Sequence, residues 1–123
     1  EKSYCCFYSN ARDFARIGKL YLNGGLWNKR RVISEKYITE SSSSAYNLKD
    51  KNGLPVDFYG YQMWTSYYKN MDILYARGIL GQNIIIITYR QIVIVRLGHN
   101  RGEKLPNHHT SDFYTYINFA LKQ

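Results

Sequence analysis

Residues 75–99 read YARGILGQNIIIITYRQIVIVRLGH. A glycine-broken segment, Gly78-Ile79-Leu80-Gly81, leads into two runs, 84–87 and 92–95, that are apolar at every position and separated by the polar Thr88-Tyr89-Arg90-Gln91. Short runs rich in β-branched residues read as strands, and so tight a connection makes them antiparallel neighbours. A hairpin wetted on one face alternates apolar with polar side chains; these runs do not alternate, so both of their faces must be covered.

Working outward, the strand period extends over about 59–67, 73–79, 82–88 and 92–97, with turns near Lys69-Asn70, Leu80-Gly81 and Tyr89-Arg90. Upstream, SNARDFARIGKLYLNGG reads as a helix over about 10–23. Asn10 or Ser9 caps it, Asp13 sits in the first turn, and Gly24-Gly25 stops it. Phe14, Ile17, Gly18 and Tyr21 fall on one side, and Arg12, Arg16, Lys19 and Asn23 on the other. A shorter helix follows Ser34, over about 34–41, and a serine-rich loop leads on toward Asp57. The C-terminal SDFYTYINFALKQ reads as a helix over about 111–122, capped by Ser111 or Thr110, with Phe113, Tyr116, Ile117, Ala120 and Leu121 on one face. The fold class is α+β, an antiparallel sheet flanked by helices. The C-terminal helix, joined by the first, is expected to cover one face of the sheet. No further element covers the other, so the chain, residues 1–123, is expected to be a single fragment of a larger domain.

Composition narrows the functional classes. With 45% hydrophobic and 16% aromatic residues the chain is globular. Its net charge of +8 favours anionic partners. The densest basic point, Lys29-Arg30-Arg31, is followed at once by Val32-Ile33 and reads as a solvated turn, so no nucleic-acid partner is expected. Each half of the 84–97 stretch is too short to span a bilayer as a helix, and no transmembrane segment is expected. Cys5 and Cys6 are adjacent and read as reduced structural residues. His99, His108 and His109 lack acidic or Cys companions at ligand spacing and read as exposed loop residues, so no metal and no cofactor are expected. The chain begins at Glu1 without an initiator Met, and further N-terminal sequence is expected.

The segment CCFYSNARDFARIGKLYLNGGLWNKRRVISEKYI resembles the part of the serine β-lactamase and penicillin-binding-protein superfamily that often reads G-G-x-x-S-T-A-x-D-x-A-R-F-x-x-x-x-L-N-G-G, followed by a basic turn and a Ser-Glu-Lys-Tyr helix start. YGYQMW, then YARGILGQNIIII and QIVIVRLGH, resemble the superfamily's closing strands, particularly in the class C-like branch that includes esterases and 6-aminohexanoate-dimer hydrolases. The likeness runs over most of the chain and rests on order and spacing. It implies the C-terminal portion of a β-lactamase/transpeptidase-like fold, and a serine hydrolase that cleaves an amide, β-lactam or ester through an acyl-enzyme. The cell envelope or periplasm of a bacterium is the implied location.

By this resemblance the Lys-Thr-Gly or His-x-Gly motif of the active-site edge strand falls on Ala76-Arg77-Gly78. Ala76 departs from the pattern and can neither transfer nor stabilise a proton. Gly78 is retained, which suits a backbone lying close to a substrate. The backbone N–H of Ile79 matches the second oxyanion-hole donor, a role indifferent to the side chain. Arg77 either binds a substrate carboxylate, for which its forked donors suit it, or is a surface strand residue paired with Asp72 or Glu103. Gly81 and Gln82 match the tight turn before the next strand. Tyr8-Ser9-Asn10 spells a Tyr-x-Asn motif but directly precedes the first helix, where Asn10 serves as a cap.

The superfamily's Ser-x-x-Lys nucleophile motif is missing: Ser34 has Tyr37 at that spacing, and Ser3 has Cys6. The nucleophile, its Lys and the catalytic Tyr are therefore expected upstream, in the N-terminal remainder of the same protein, and the chain alone is expected to be inactive. A non-catalytic, penicillin-binding-like binding or structural module is the rival reading, which Ala76 keeps open.

Overall fold

The computed structural model describes residues 8–45 and 47–123; Ser3, Cys5 and Cys6 lie outside the described residues. Helix α1 is Ala11–Leu22, and Asn10 is its N-cap, the side-chain oxygen accepting the Asp13 N–H at 3.0 Å. After Gly24 and Gly25, strands β1 (Leu26–Trp27) and β2 (Arg30–Arg31) form a small hairpin whose turn residues, Asn28 and Lys29, both have positive φ. Lys29-Arg30-Arg31 is thus an exposed turn and strand. Helix α2 (Glu35–Ser41) is capped by Ser34, which accepts the Tyr37 N–H at 3.2 Å.

The sheet is a meander. Strands β3 (Trp64–Tyr68), β4 (Met71–Arg77), β5 (Asn83–Ile87) and β6 (Ile92–Arg96) pair in chain order, each antiparallel to the next. The β3–β4 turn is Lys69-Asn70, with φ of 51° and 59°, the left-handed pair that a two-residue hairpin turn requires. A 3₁₀ turn at Thr88–Arg90 joins β5 to β6. Helix α3, Ser111–Ala120, closes the chain; Thr110 is its cap position but makes no side-chain cap bond. The architecture is α+β, as the periodicity indicates. The first strand is shorter than the 59–67 read from sequence, because Gly60 N–H bonds back to Met63 O and Gln62 has a φ of 61°, a turn and not an extended run. The next strand is Met71–Arg77 and not 73–79, since pairing stops before the Gly78 turn.

Because successive strand residues point to opposite faces, the continuous apolar runs divide into two cores. Met71, Ile73, Tyr75, Ile85 and Ile87 pack with Phe113 and Ile117 of α3. Leu74 and Ile86 pack on the other face with Met63, Tyr21 and Leu22, the last two from α1. Ile73, Tyr75, Ile85, Ile86, Ile87, Phe113 and Ile117 are each at most 1% exposed, and burying an apolar side chain of this size contributes about 1.5–3 kcal/mol. The sequence reading placed both long helices on one face and left the other bare; the structure puts one helix on each face. Apolar periodicity identifies which residues need cover without saying which helix supplies it. Strand β5 is buried at every position but Ile84, whereas β6, at the edge, is half-buried at every position.

Candidate functional site

The site begins where β3 stops. Pairing of β3 with β4 ends at Trp64↔Tyr75, whereas β5 pairs with β4 as far as Arg77↔Asn83. Ala76 and Arg77 therefore have a strand neighbour on the β5 side only, and the chain then enters the turn 78–81. Gly78 N–H donates to Gln82 O at 2.8 Å, Gly81 N–H to Gly78 O at 3.1 Å, and Leu80 N–H to the Gln82 side-chain Oε1 at 3.2 Å. Of the four N–H groups at 78–81, that of Ile79 alone has no acceptor among the described residues. The Ile79 side chain is 81% exposed, so nothing in the packing dictates its identity.

The turn is braced from outside. Arg96, at the end of β6, donates from Nη1 to Gly81 O at 2.7 Å and to Leu80 O at 3.2 Å, and from Nη2 to Asn100 O. Gln82 Nε2 donates to Gly98 O at 2.7 Å, and Asn83 Nδ2 to Gly81 O at 2.9 Å. Three glycines make room for this brace, a Cβ on Gly98 falling 2.8 Å from Arg96 Cζ. A Cβ on Gly78 would run into Gln82 Oε1, and one on Gly81, whose φ is +85°, would meet Arg96 Nη1 at 2.6 Å. Gly78 thus has a reason internal to the protein, the packed Gln82 side chain, where the sequence suggested only close approach of a substrate.

Arg77 projects on the α3 side of the sheet. Its guanidinium lies 3.7 Å from the centroid of the Trp64 ring, and Nη1 donates to His108 O at 2.8 Å. Among the described residues the ion pairs are Arg16–Asp13 and Lys36–Glu40, so Arg77 pairs with neither Asp72 nor Glu103. The surface-pair alternative is replaced by a stacked, carbonyl-bonded arginine, held this way because planar guanidinium stacks well on an aromatic face. Ala76 points to the opposite face and packs with Met63, Leu74 and Ile86.

Behind Arg77 lies a buried pair that the sequence did not reveal. Tyr75, 1% exposed, shares a 2.6 Å hydrogen bond between its hydroxyl and Nδ1 of His109, which is 5% exposed. Burial pushes the Tyr75 hydroxyl above its ordinary pKa, with nearby Arg77 acting in the opposite sense. Burial also holds the His109 ring below the usual histidine range, and Arg77 and His108 add to the effect. Both groups are therefore neutral at pH 7. His109 was read as an exposed loop residue; it is buried because it precedes the α3 cap and its ring stacks at 5.3 Å on Phe113. His108, exposed and with a φ of 67°, stacks on Phe58 at 4.2 Å. No three His, Cys, Asp or Glu side chains converge on a metal-sized site among the described residues. Tyr8 is 98% exposed and Asn10 is spent on capping α1, in keeping with leaving the Tyr-x-Asn match aside.

Sequence reasoning singled out this turn, with Gly81 and Gln82, by resemblance, but did not anticipate the Arg96 brace. Arg96, closing an otherwise apolar strand, and the glycines opposite it were the available signal. Compared with models of known protein families, the chain matches none.

Proposed function

We propose that this chain is the C-terminal part of a β-lactamase-like serine hydrolase that cleaves an amide, β-lactam or ester through an acyl-enzyme. The observation that carries this reading is the Ile79 N–H, left without an acceptor in a turn whose other N–H groups are all engaged. In an acyl transfer the carbonyl oxygen gains negative charge as the nucleophile attacks. A fixed N–H that does not have to break another bond first stabilises that charge at no reorganisation cost. The attacking Ser and its base belong to the remainder of the same protein, and the half-paired end of β4 leaves the flank of this turn open to them. Arg77 is the candidate for a substrate carboxylate: one of its five N–H donors is engaged by His108 O, and the guanidinium is only partly buried.

The test is a pair of substitutions in the full-length protein. Ile79→Pro removes the N–H and should lower turnover by roughly a hundredfold or more. Ile79→Val keeps the N–H and, at so exposed a position, should leave turnover and stability unchanged. Equal losses from both would mean that side-chain packing matters and would remove the oxyanion role. The second reading, a non-catalytic binding module, is favoured by one observation: Ala76 stands packed in the α1-side core where an enzyme of this kind carries Lys or His. A full-length protein that binds the substrate class without forming an acyl adduct by intact mass would establish it.

A further inference from the structure

We infer that Arg96, together with Gln82, is the positioning residue for the Ile79 N–H: these two side chains fix the direction of the one donor the turn leaves free. The inference rests on the oxyanion reading above and adds the groups on which that donor depends. Arg96 belongs to β6, two strands away from β4. It stands opposite Asn83 in the β5–β6 register, as Asn83 stands opposite Arg77, so its side chain reaches along one cross-strand row to the turn. Its forked donors hold the two carbonyls that follow Ile79, those of Leu80 and Gly81, and tie them to Asn100 on the loop after β6. Gln82 works from the other side. Its Oε1 takes the Leu80 N–H, and its Nε2 is anchored on Gly98 O, so Leu80, the residue after Ile79, is held at its N–H by Gln82 and at its C=O by Arg96. A lysine at 96 carries the same charge but is a single point donor and cannot hold carbonyls on both sides as the guanidinium does.

Such a brace has a cost that argues for purpose. An arginine half-buried at the end of an apolar edge strand forms no ion pair among the described residues, though its charge favours the ionised Asp112 carboxyl and its guanidinium lies 6.0 Å from the Tyr116 ring centroid, and it donates to three main-chain carbonyls. Glycine at 78, 81 and 98 is what admits the two side chains. In a plain hairpin none of this is needed, since a two-residue turn closes β3 to β4 a few residues away without any such scaffold.

The test uses the full-length protein with Arg96→Lys and Gln82→Met, the latter similar in volume and without either hydrogen bond. Each is measured in the wild-type and in the Ile79→Pro background, with a chromogenic ester as substrate. In ¹⁵N-isoleucine-labelled protein the Ile79 amide resonance should move and exchange faster in both variants. Turnover should fall by roughly ten- to a hundredfold, the size expected when a donor is misdirected by a fraction of an ångström, with KM little changed. In the Ile79→Pro background the same substitutions should lower kcat no further, because the donor they aim is already gone; a brace that only stabilised the fold would cost as much in both backgrounds. An unmoved Ile79 resonance in both variants, or equal kcat losses in the two backgrounds, overturns the inference. Should Ile79→Pro alone leave kcat unchanged, the oxyanion reading falls instead. The amide data then decide separately whether Arg96 and Gln82 set the turn.

Discussion

Gly18 is the residue through which α1 meets the sheet, and replacing it opposes two effects of known size. It is the only fully buried residue of α1. In the interior of a helix Gly→Ala is worth about 1 kcal/mol of added stability through reduced backbone freedom. Here, however, a Cβ at position 18 would lie 2.5 Å from Cγ1 of Val93 and 3.2 Å from both Val93 Cγ2 and Ile84 Cγ2. The first contact is about 1–1.5 Å inside van der Waals separation by the usual carbon spacing of about 3.5–4.0 Å. Val93 cannot swing aside freely, because a β-branched side chain is stiff at χ1, and both neighbours sit on the sheet. The helix must therefore lift from β5 and β6, an overpacking cost of about 1–3 kcal/mol. The clash outweighs the propensity, and Gly18→Ala should destabilise by about 1 kcal/mol, lowering the thermal midpoint by about 4 °C for a chain of this size. Val93→Ala removes both offending methyls. In the double variant the new methyl partly fills the space, so the two changes should be less damaging together than their sum by about 1–2 kcal/mol. The assay is urea unfolding of the four proteins followed by helical circular dichroism. If Gly18→Ala alone stabilised the chain by the full helix increment, α1 would not be seated against Val93, and the assignment of one helix to each face would be wrong.

Two further outcomes follow from residues at the edges of the fold. Asn10→Ala deletes the acceptor for the Asp13 N–H and should cost about 1 kcal/mol by the same unfolding measurement, with Asn10→Ser closer to neutral because its hydroxyl can still cap the helix, and Asn10→Asp costly because Asn10 Nδ2 also donates to the Asp13 carboxylate. Tyr75→Phe leaves buried Nδ1 of His109 without its partner and should cost about 1–3 kcal/mol. The same histidine sets a pH dependence. Because its folded pKa is depressed, the unfolded chain binds the proton first. The stabilising contribution is therefore complete above the unfolded value near 6.5 and is lost as pH falls from there toward the lowered folded value. The wild-type minus His109→Gln difference in urea midpoint should accordingly rise with pH up to about 6.5 and level off; a difference that stayed flat between pH 5 and 7 would show that His109 titrates normally.

The sheet was legible because the residues that make it do a single job. Ile84 to Ile87 and Ile92 to Val95 are apolar at every position, and a turn of four polar residues between them leaves antiparallel pairing as the only outcome, which the register Ile84↔Val95 to Ile87↔Ile92 bears out. Which helix covers which face was not legible, since Phe14, Ile17 and Tyr21 serve equally well against either. The one available mark was Gly18, an unfavourable residue in the middle of a helix, whose only return is the close approach it allows. The start of β3 was misplaced for the opposite reason: Tyr59 and Tyr61 have strand-like side chains, but Gly60 N–H bonded to Met63 O makes a turn of them. His109 carried no signal at all, because its burial depends on Tyr75, thirty-four residues away in sequence.

At the candidate site the sequence singled out the 78–81 turn, and the structure gives its glycine at 78 a reason of its own. A glycine at 78 suggests that something approaches the backbone there, and something does, but it is Gln82 from within the chain. The oxyanion role proposed above rests on the main chain beyond the Ala76-Arg77-Gly78 motif and not on the motif's side chains. Ala76 is partly buried against the α1-side core and Arg77 is stacked on Trp64, so the proposed role falls to an N–H that any non-proline residue at 79 would supply. A site of this kind is nearly invisible to motif reading, because its specificity lies in what surrounds a main-chain donor. What can be read are the residues that brace the turn: an arginine at the end of an apolar edge strand and the glycines that clear its way. On this reasoning, loss of Arg96 should be more damaging to chemistry, and loss of Ile85 or Ile87 more damaging to the fold.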